Sequence, residues 1–406
     1  MKILFTTDVG DRAGIGGHLY SIRAMVEALS PLAQCVVVSL GSAASPGLES
    51  LACPKYQVAF GAGILRRGEL ARFMEVVAKE KPDVIHAFDP LSCAFARAAS
   101  RKAGCGLLLT MCGGPNPSGR FPFSYYPKIP NLVVFSRENE RYFLSKRSFR
   151  NTRIWRIPNR TNEVQADAQK VAALRTRLDP ARLVLLRVGR ISLTYGKTAE
   201  MSIRLAKRLQ EDGLPVQSVF LGIIQDPRAE AAILASLGDH GVIVSDPDLV
   251  ARASLVLDAA DLVVGTGRGL MEAAARGRVL LVPARTGTFP ALIDESNWQE
   301  IFDANFSERS EIAPWDEELN YRKIKNALLD PEYRKRLTAF SRNLFEEQFS
   351  LDRVLPQYMA LYAAASRPER GRHVDLTLHW ISMMWRTHAR WSARGSACSA
   401  GKRRTS

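Results

Sequence analysis

Residues 2–29 read KILFTTDVGDRAGIGGHLYSIRAMVEAL: an apolar run, a turn carrying Gly10, Gly14, Gly16 and Gly17, then a helix-like stretch that stops before Pro31. The run Lys2–Thr7 predicts a buried strand, and His18–Leu29 a helix with apolar residues on one face. Strand, glycine turn and helix then recur along the chain. Cys35–Leu40, Asp83–His86, Leu107–Met111, Asn131–Phe135 and Arg153–Ile157 read as further strands, with a helix at Glu69–Lys79. Alternation of this kind is α/β logic and implies a mostly parallel sheet with helices on both faces.

The pattern restarts after a polar, alanine-rich connector, Thr161–Ala181. Leu183–Val188, Val216–Gly222, Val242–Ser245, Asp261–Gly265 and Val279–Pro283 are the strands of a second sheet, and the chain turns helical from Tyr321 to Ala364. The expected division is 1–160, 161–340, a crossover helix over 341–365 that returns to the first domain, and a basic tail over 366–406. Two such sheets facing a cleft would present the loops at their strand carboxyl ends to it.

Composition fits this frame. The 406 residues are 46% hydrophobic and 24% charged, enough for two cores. No run approaches 18 consecutive apolar residues, so a cytoplasmic protein is expected. The six cysteines show no C-x-x-C pair and no ligand spacing with histidine, which points away from a disulfide framework and from a zinc site. The net charge of +15 is uneven: from Ser366 onward nine Lys or Arg face only Glu369 and Asp375, so +7 of it sits in the tail. No nucleic-acid motif accompanies that charge, and a nucleic-acid partner is not expected.

The glycine turns carry the chemistry. A glycine-rich turn before a helix exposes backbone N–H groups that lack partners, and the helix dipole favours an anion there. The first loop is not a dinucleotide fingerprint, because Leu19 stands where its third glycine would be and Ser39 and Leu40 stand where its acidic residue would be. A dehydrogenase is set back on that ground. In VGRISLTYGK, Arg190 follows a strand and Lys197 opens the next helix, a pair suited to a diphosphate. In VVGTGRGLMEAAARG (263–277), Glu272 lies in the first turns of a helix. It is either a cap stabilised by the dipole, worth at most about 1 kcal/mol, or an acceptor for the hydroxyls of a ribose.

Six segments occur together and in order: GIGGHLYSIRAMVEAL, KPDVIHAFDPLSCAFARAA, FSRENERYFL followed by RIPN, the VGR and GK pair, ADLVVGTGRGLMEAAARG, and FSLDRVLPQYMALY. Over Met1–Ala365 the chain thereby resembles the family-4-like nucleotide-sugar glycosyltransferases of the GT-B fold, with two Rossmann-like domains. The resemblance implies transfer of a sugar from a nucleotide-sugar donor to a saccharide or lipid-linked saccharide in cell-surface polysaccharide biosynthesis, with retention of configuration and no cofactor or metal. It assigns Gly16 and Gly17 to the donor diphosphate from one domain and Arg190 and Lys197 from the other. Glu272 goes to the ribose, and the backbone N–H groups of Gly269 and Leu270 add contacts.

Two positions depart from the family pattern. Val264 stands where the first Glu of its Glu, seven residues, Glu motif belongs, and Cys112 where many members carry a histidine. His86, at a strand end, and His18, at a helix start, are the catalytic candidates in their place; His86 has the competing reading of a core histidine. A non-catalytic nucleotide-sugar-binding regulator or scaffold is the alternative function. In the tail, Leu376, Trp380, Met383, Thr387 and Trp391 form a stripe flanked by Arg386 and Arg390. Either this helix makes peripheral contact with an anionic membrane, or it packs on the protein or stays unstructured. Without that contact the acceptor-docking surface moves to the N-terminal domain, where Arg66, Arg67, Tyr125, Tyr126 and Lys128 are the next candidates.

Overall fold

The structure is a computed structural model that describes residues 1–10, 16–60, 66–122, 124–368 and 374–386. The chain divides into two units, Met1–Ile157 with Leu355–Ser406, and Pro158–Val354.

The first unit holds a seven-stranded sheet of β1 (Lys2–Gly10), β2 (Gln34–Gly41), β3 (Lys55–Val58), β4 (Val84–Ala87), β5 (Gly106–Met111), β6 (Asn131–Val134) and β7 (Arg153–Arg156). Their order is β3-β2-β1-β4-β5-β6-β7, and all six pairings are parallel. β1 is covered on both faces, which is why Ile3, Leu4, Phe5, Thr6 and Thr7 are all fully buried and the strand reads as continuous rather than alternating. β3 carries Lys55 and Gln57 among its four residues, and no apolar run marks it in the sequence.

Helix starts follow local chemistry. Asp89 caps Pro90–Ala103 by accepting from Ser92 N, with proline in the first turn, and Ser136 caps Arg137–Leu144 by accepting from Asn139 N. The last turn of helix Leu351–Ala365 presses on the start of β5: a Cβ on Gly106 would lie 1.8 Å from the Ala365 carbonyl oxygen. Only glycine fits there.

The second unit holds β8 (Leu183–Val188), β9 (Val216–Leu221), β10 (Gly241–Val244), β11 (Leu262–Val264), β12 (Val279–Val282) and β13 (Ala291–Leu292), in the order β10-β9-β8-β11-β12-β13. β13 is antiparallel to β12, an edge strand two residues long that the sequence does not announce. The strands divide their side chains by the period of two. Val184 and Leu186, Val263, Leu280 and Val282 enter one core with Met271, Phe306 and Phe349, whereas Leu185, Leu262, Val264, Val279 and Leu281 enter another with Leu205, Leu209 and Ile324.

The tail follows one of its two readings, a helix packed on the protein. Residues 374–386 are helical and lie on the first unit. Met383 is 2% exposed, Leu376 and Trp380 are half-buried, and the Trp380 ring meets Phe95 edge-on at 5.3 Å. Trp380 and Met383 face protein because Leu91, Ala94 and Phe95 supply an apolar surface for them. Thr387, Arg390 and Trp391 lie outside the described residues. Tyr125 and Tyr126 are buried as well, so of the five candidates for acceptor docking these two rings offer little surface.

Candidate active site

Strand order locates the site before any side chain is considered. In the second unit β9 and β10 extend from β8 to one side, and β11, β12 and β13 to the other. The loops leaving β8 and β11 therefore run in opposite directions and open a crevice at their carboxyl ends, where open α/β sheets bind ligands. The two strands are direct neighbours, with Val264 opposite Arg187. One loop leads to Arg190 and Lys197, the other to Gly267–Glu272.

Arg190 is exposed, and its Nη2 donates to the Tyr195 hydroxyl at 2.6 Å. Lys197 is the second residue of helix Gly196–Glu211, exposed, with Nζ 3.1 Å from the Arg285 carbonyl. No side chain caps this helix and no acidic residue lies in its first turn. Its first N–H groups and the two cations thus add to one positive field.

A third cation was not found by sequence reading. Arg187 sits inside β8, 3% exposed, and its guanidinium folds under the turn toward the carbonyls of Gly189 and Arg190 at 3.4 Å. Burial pulls its pKa down to about 10, against the pull of Tyr195 and Glu308 in the other direction, so it stays charged at neutral pH. Glu308 accepts from Thr198 Oγ1 in the first turn of the same helix. An arginine in an apolar strand, LVLLRV, is the signal that could have marked it.

Across the crevice, helix Arg268–Ala275 starts from Gly267, whose φ of +52° with ψ of −126° is a conformation that favours glycine. Asn305 and Phe306, both at positive φ, lie beneath this turn, and Gly267 N donates to the Phe306 carbonyl at 2.9 Å. Gly269 faces open space, with nothing within 4 Å of a Cβ placed on it. Leu270 is 1% exposed and its amide already donates to the Gly267 carbonyl at 3.2 Å.

Glu272 is not a simple cap. Its Oε1 accepts from Arg268 Nε at 2.8 Å, and Arg268 also donates to the Arg160 carbonyl and Thr161 Oγ1, each at 3.0 Å. The pair is largely sheltered, with side chains 12% and 18% exposed. Arg268 orients the carboxylate through one oxygen, and a carboxylate keeps further acceptor sites for a ligand.

In the first unit the two histidines separate. His86 is fully buried in β4, with Nδ1 2.8 Å from the Tyr362 hydroxyl and Nε2 2.7 Å from Thr110 Oγ1. Phe88 stacks at 4.3 Å between ring centroids, and Phe5, Tyr358 and Tyr362 complete the ring cage. Both nitrogens are engaged and no solvent reaches them, which corrects the catalytic expectation: His86 fastens helix Leu351–Ala365 to the sheet. His18 is half-buried, and its ring folds back over Gly16, where Cε1 would be 2.9 Å from a Cβ. Gly16 is the N-cap of helix Gly17–Leu29, which has neither a capping side chain nor an acidic first turn. Cys112 is half-buried at the end of β5, with Sγ 3.6 Å from the Phe88 carbonyl. Val264 is fully buried in its core and brings no polar group to the crevice.

Comparison with known proteins agrees with this architecture. Residues 16–160 match the glycosyl transferase 4-like domain. No curated protein sequence matches significantly. Among solved structures, HepE from Anabaena, in complex with UDP and glucose, superposes with a TM-score of 0.65 at 16% identity, over 90% of this chain and 100% of its own. Sucrose-phosphate synthase from Thermosynechococcus elongatus gives 0.63 at 17% identity, covering 90% and 98%. WaaG, a glycosyltransferase involved in lipopolysaccharide biosynthesis, gives 0.55 at 14% identity, covering 89% and 98%. The chain has the GT-B fold expected from its motifs.

Proposed function

We propose that the protein is a glycosyltransferase that moves a sugar from a nucleotide-sugar donor to a hydroxyl of a saccharide or lipid-linked saccharide, in the assembly of a cell-surface polysaccharide. The observation that carries the proposal is the positive field at the β8 end. Arg190, Lys197, the buried Arg187 and an uncapped helix N-terminus belong to the β8 end, and the loop of the neighbouring strand β11 leads to a carboxylate, Glu272, that Arg268 already aims. Arg190 provides a fork for diphosphate oxygens and Lys197 a point charge, while Arg187 holds the turn in shape from below. The free oxygen of Glu272 accepts from the ribose hydroxyls, and the N–H of Gly269 completes the contact, with that of Leu270 as the weaker donor. Gly16 and Gly17 start an uncapped helix, an anion site of the kind that the family resemblance assigns to the donor diphosphate.

These cations and helix ends supply charge neutralisation that a divalent ion supplies in other sites, so the proposal needs no metal or cofactor. Stabilising the leaving diphosphate lowers the barrier to breaking the bond to the sugar. The reaction retains configuration, as the family resemblance implies. With His86 in the core, His18 is the imidazole left for proton transfer.

A second reading rests on Val264 and Cys112: without the two polar groups usually found there, the protein would bind a nucleotide sugar and not turn it over. One experiment separates the two. Purified protein is incubated with UDP-, GDP- and ADP-sugars and nucleotide release is followed, with Lys197→Ala alongside. Release that depends on Lys197 supports transfer; binding with no release under any donor supports the regulator.

A further inference from the structure

Helix 374–386 has a second face. Its inner side is fixed by Asp375, which pairs with the fully buried Arg97 at 2.8 Å and with Lys128 at 3.6 Å, and by His379, whose Nε2 is 2.8 Å from the Pro90 carbonyl. Ser382 Oγ donates to the Pro122 carbonyl at 2.6 Å, and Arg386 Nη2 to the Tyr125 carbonyl at 2.9 Å. With its rotation set by these bonds, the helix turns four apolar side chains outward: Val374 (69% exposed), Leu378 (37%), Ile381 (40%) and Trp385 (56%). Their spacing of four, three and four residues puts them in one stripe. Phe121, 52% exposed, borders it next to Pro122.

From these observations we infer that this outer stripe, and not the one read from the sequence, docks on an anionic lipid surface. Charge decides the occupant. Arg120 is exposed beside Phe121, and residues 387–406 add Arg390, Arg394, Lys402, Arg403 and Arg404 without one acidic residue. Apolar burial of a tryptophan and three aliphatic side chains then adds to attraction for acidic headgroups. A second copy of the chain would bring like charges together, which opposes that pairing. The helix lies on the surface: among the described residues, no helix is long and apolar enough to cross a membrane.

The test uses the full chain without nucleotide, so its outcome is independent of the transfer reading. Wild type and L378E/W385E are sedimented with phosphatidylcholine vesicles and with equimolar phosphatidylcholine and phosphatidylglycerol vesicles. Wild type is expected to pellet with the anionic vesicles and to be released by salt, and the double variant to lose at least about tenfold in partition coefficient. Its thermal midpoint should match wild type, since the replaced side chains point outward. Should that variant fail to fold, Val374→Ser with Ile381→Ser takes its place. Equal pelleting of variant and wild type overturns the inference, as does wild type that ignores both vesicles. A wild-type dimer that the substitutions dissolve overturns it in favour of a second copy.

Discussion

Removing the two exposed cations at the end of β8 gives the most direct measure of the donor site. Lys197→Ala deletes an ammonium whose contact is a carbonyl 3.1 Å away on the surface, and Arg190→Ala deletes a guanidinium bonded at 2.6 Å to Tyr195. Neither side chain is part of a core, so each substitution should change folding stability by no more than about 0.5 kcal/mol. Each charge-assisted bond to a diphosphate oxygen contributes about 1.5–3 kcal/mol. At about 1.4 kcal/mol per decade, the dissociation constant rises roughly 10- to 150-fold for each variant. Arg187 remains beneath the turn in both, so the backbone carbonyls of Gly189 and Arg190 keep their partner and the site keeps its shape. Titration calorimetry with UDP, GDP and ADP, taking whichever binds wild type, reads the effect, and a thermal melt controls for folding. Unchanged affinity in both variants would place the diphosphate elsewhere and remove the reasoning built on the β8 end.

Glu272→Gln should weaken a nucleoside diphosphate more than inorganic pyrophosphate; equal losses would reduce Glu272 to the partner of Arg268. His86→Leu removes the imidazole that the Tyr362 and Thr110 hydroxyls meet in the core and should cost about 1–3 kcal/mol. The folded fraction should release nucleotide at the wild-type rate, and a rate loss without a stability loss would restore His86 to catalysis. Gly106→Ala drives a methyl into the Ala365 carbonyl, at 1.8 Å before relaxation, and should lower the thermal midpoint by several degrees, whereas a wild-type melt would show that the helix end shifts freely. Burial and the nearby Arg97 pull the His379 pKa down to about 3, so the folded chain keeps this ring neutral. The unfolded chain takes up a proton below about pH 6.5, and the stability of the docked tail is therefore intact above that value and falls between it and pH 3. Replacing His379 with Gln should flatten this limb of the stability-against-pH curve measured by hydrogen exchange over 374–386; an unchanged limb would assign it to other groups.

The sequence by itself determined the two sheets, most strand limits within a residue or two, and the loops that carry Arg190, Lys197 and Glu272. Those features depend on neighbours along the chain: apolar runs, glycine at a turn, a cap residue before a helix. Burial does not. The string VIHA is compatible with a cleft-facing histidine or a core one, and Tyr362, 276 residues away, decides between them. Arg187 looks like one charge in an apolar strand until the turn above it is folded. The tail shows the limit most clearly. Leu376, Trp380 and Met383 on one side and Val374, Leu378, Ile381 and Trp385 on the other both make apolar stripes, so helical periodicity cannot choose which one packs. The choice is made by Phe95 for Trp380, Arg97 for Asp375 and the Pro90 carbonyl for His379, groups on a helix nearly three hundred residues earlier, because contact free energy belongs to the pair of surfaces and not to either strip of sequence.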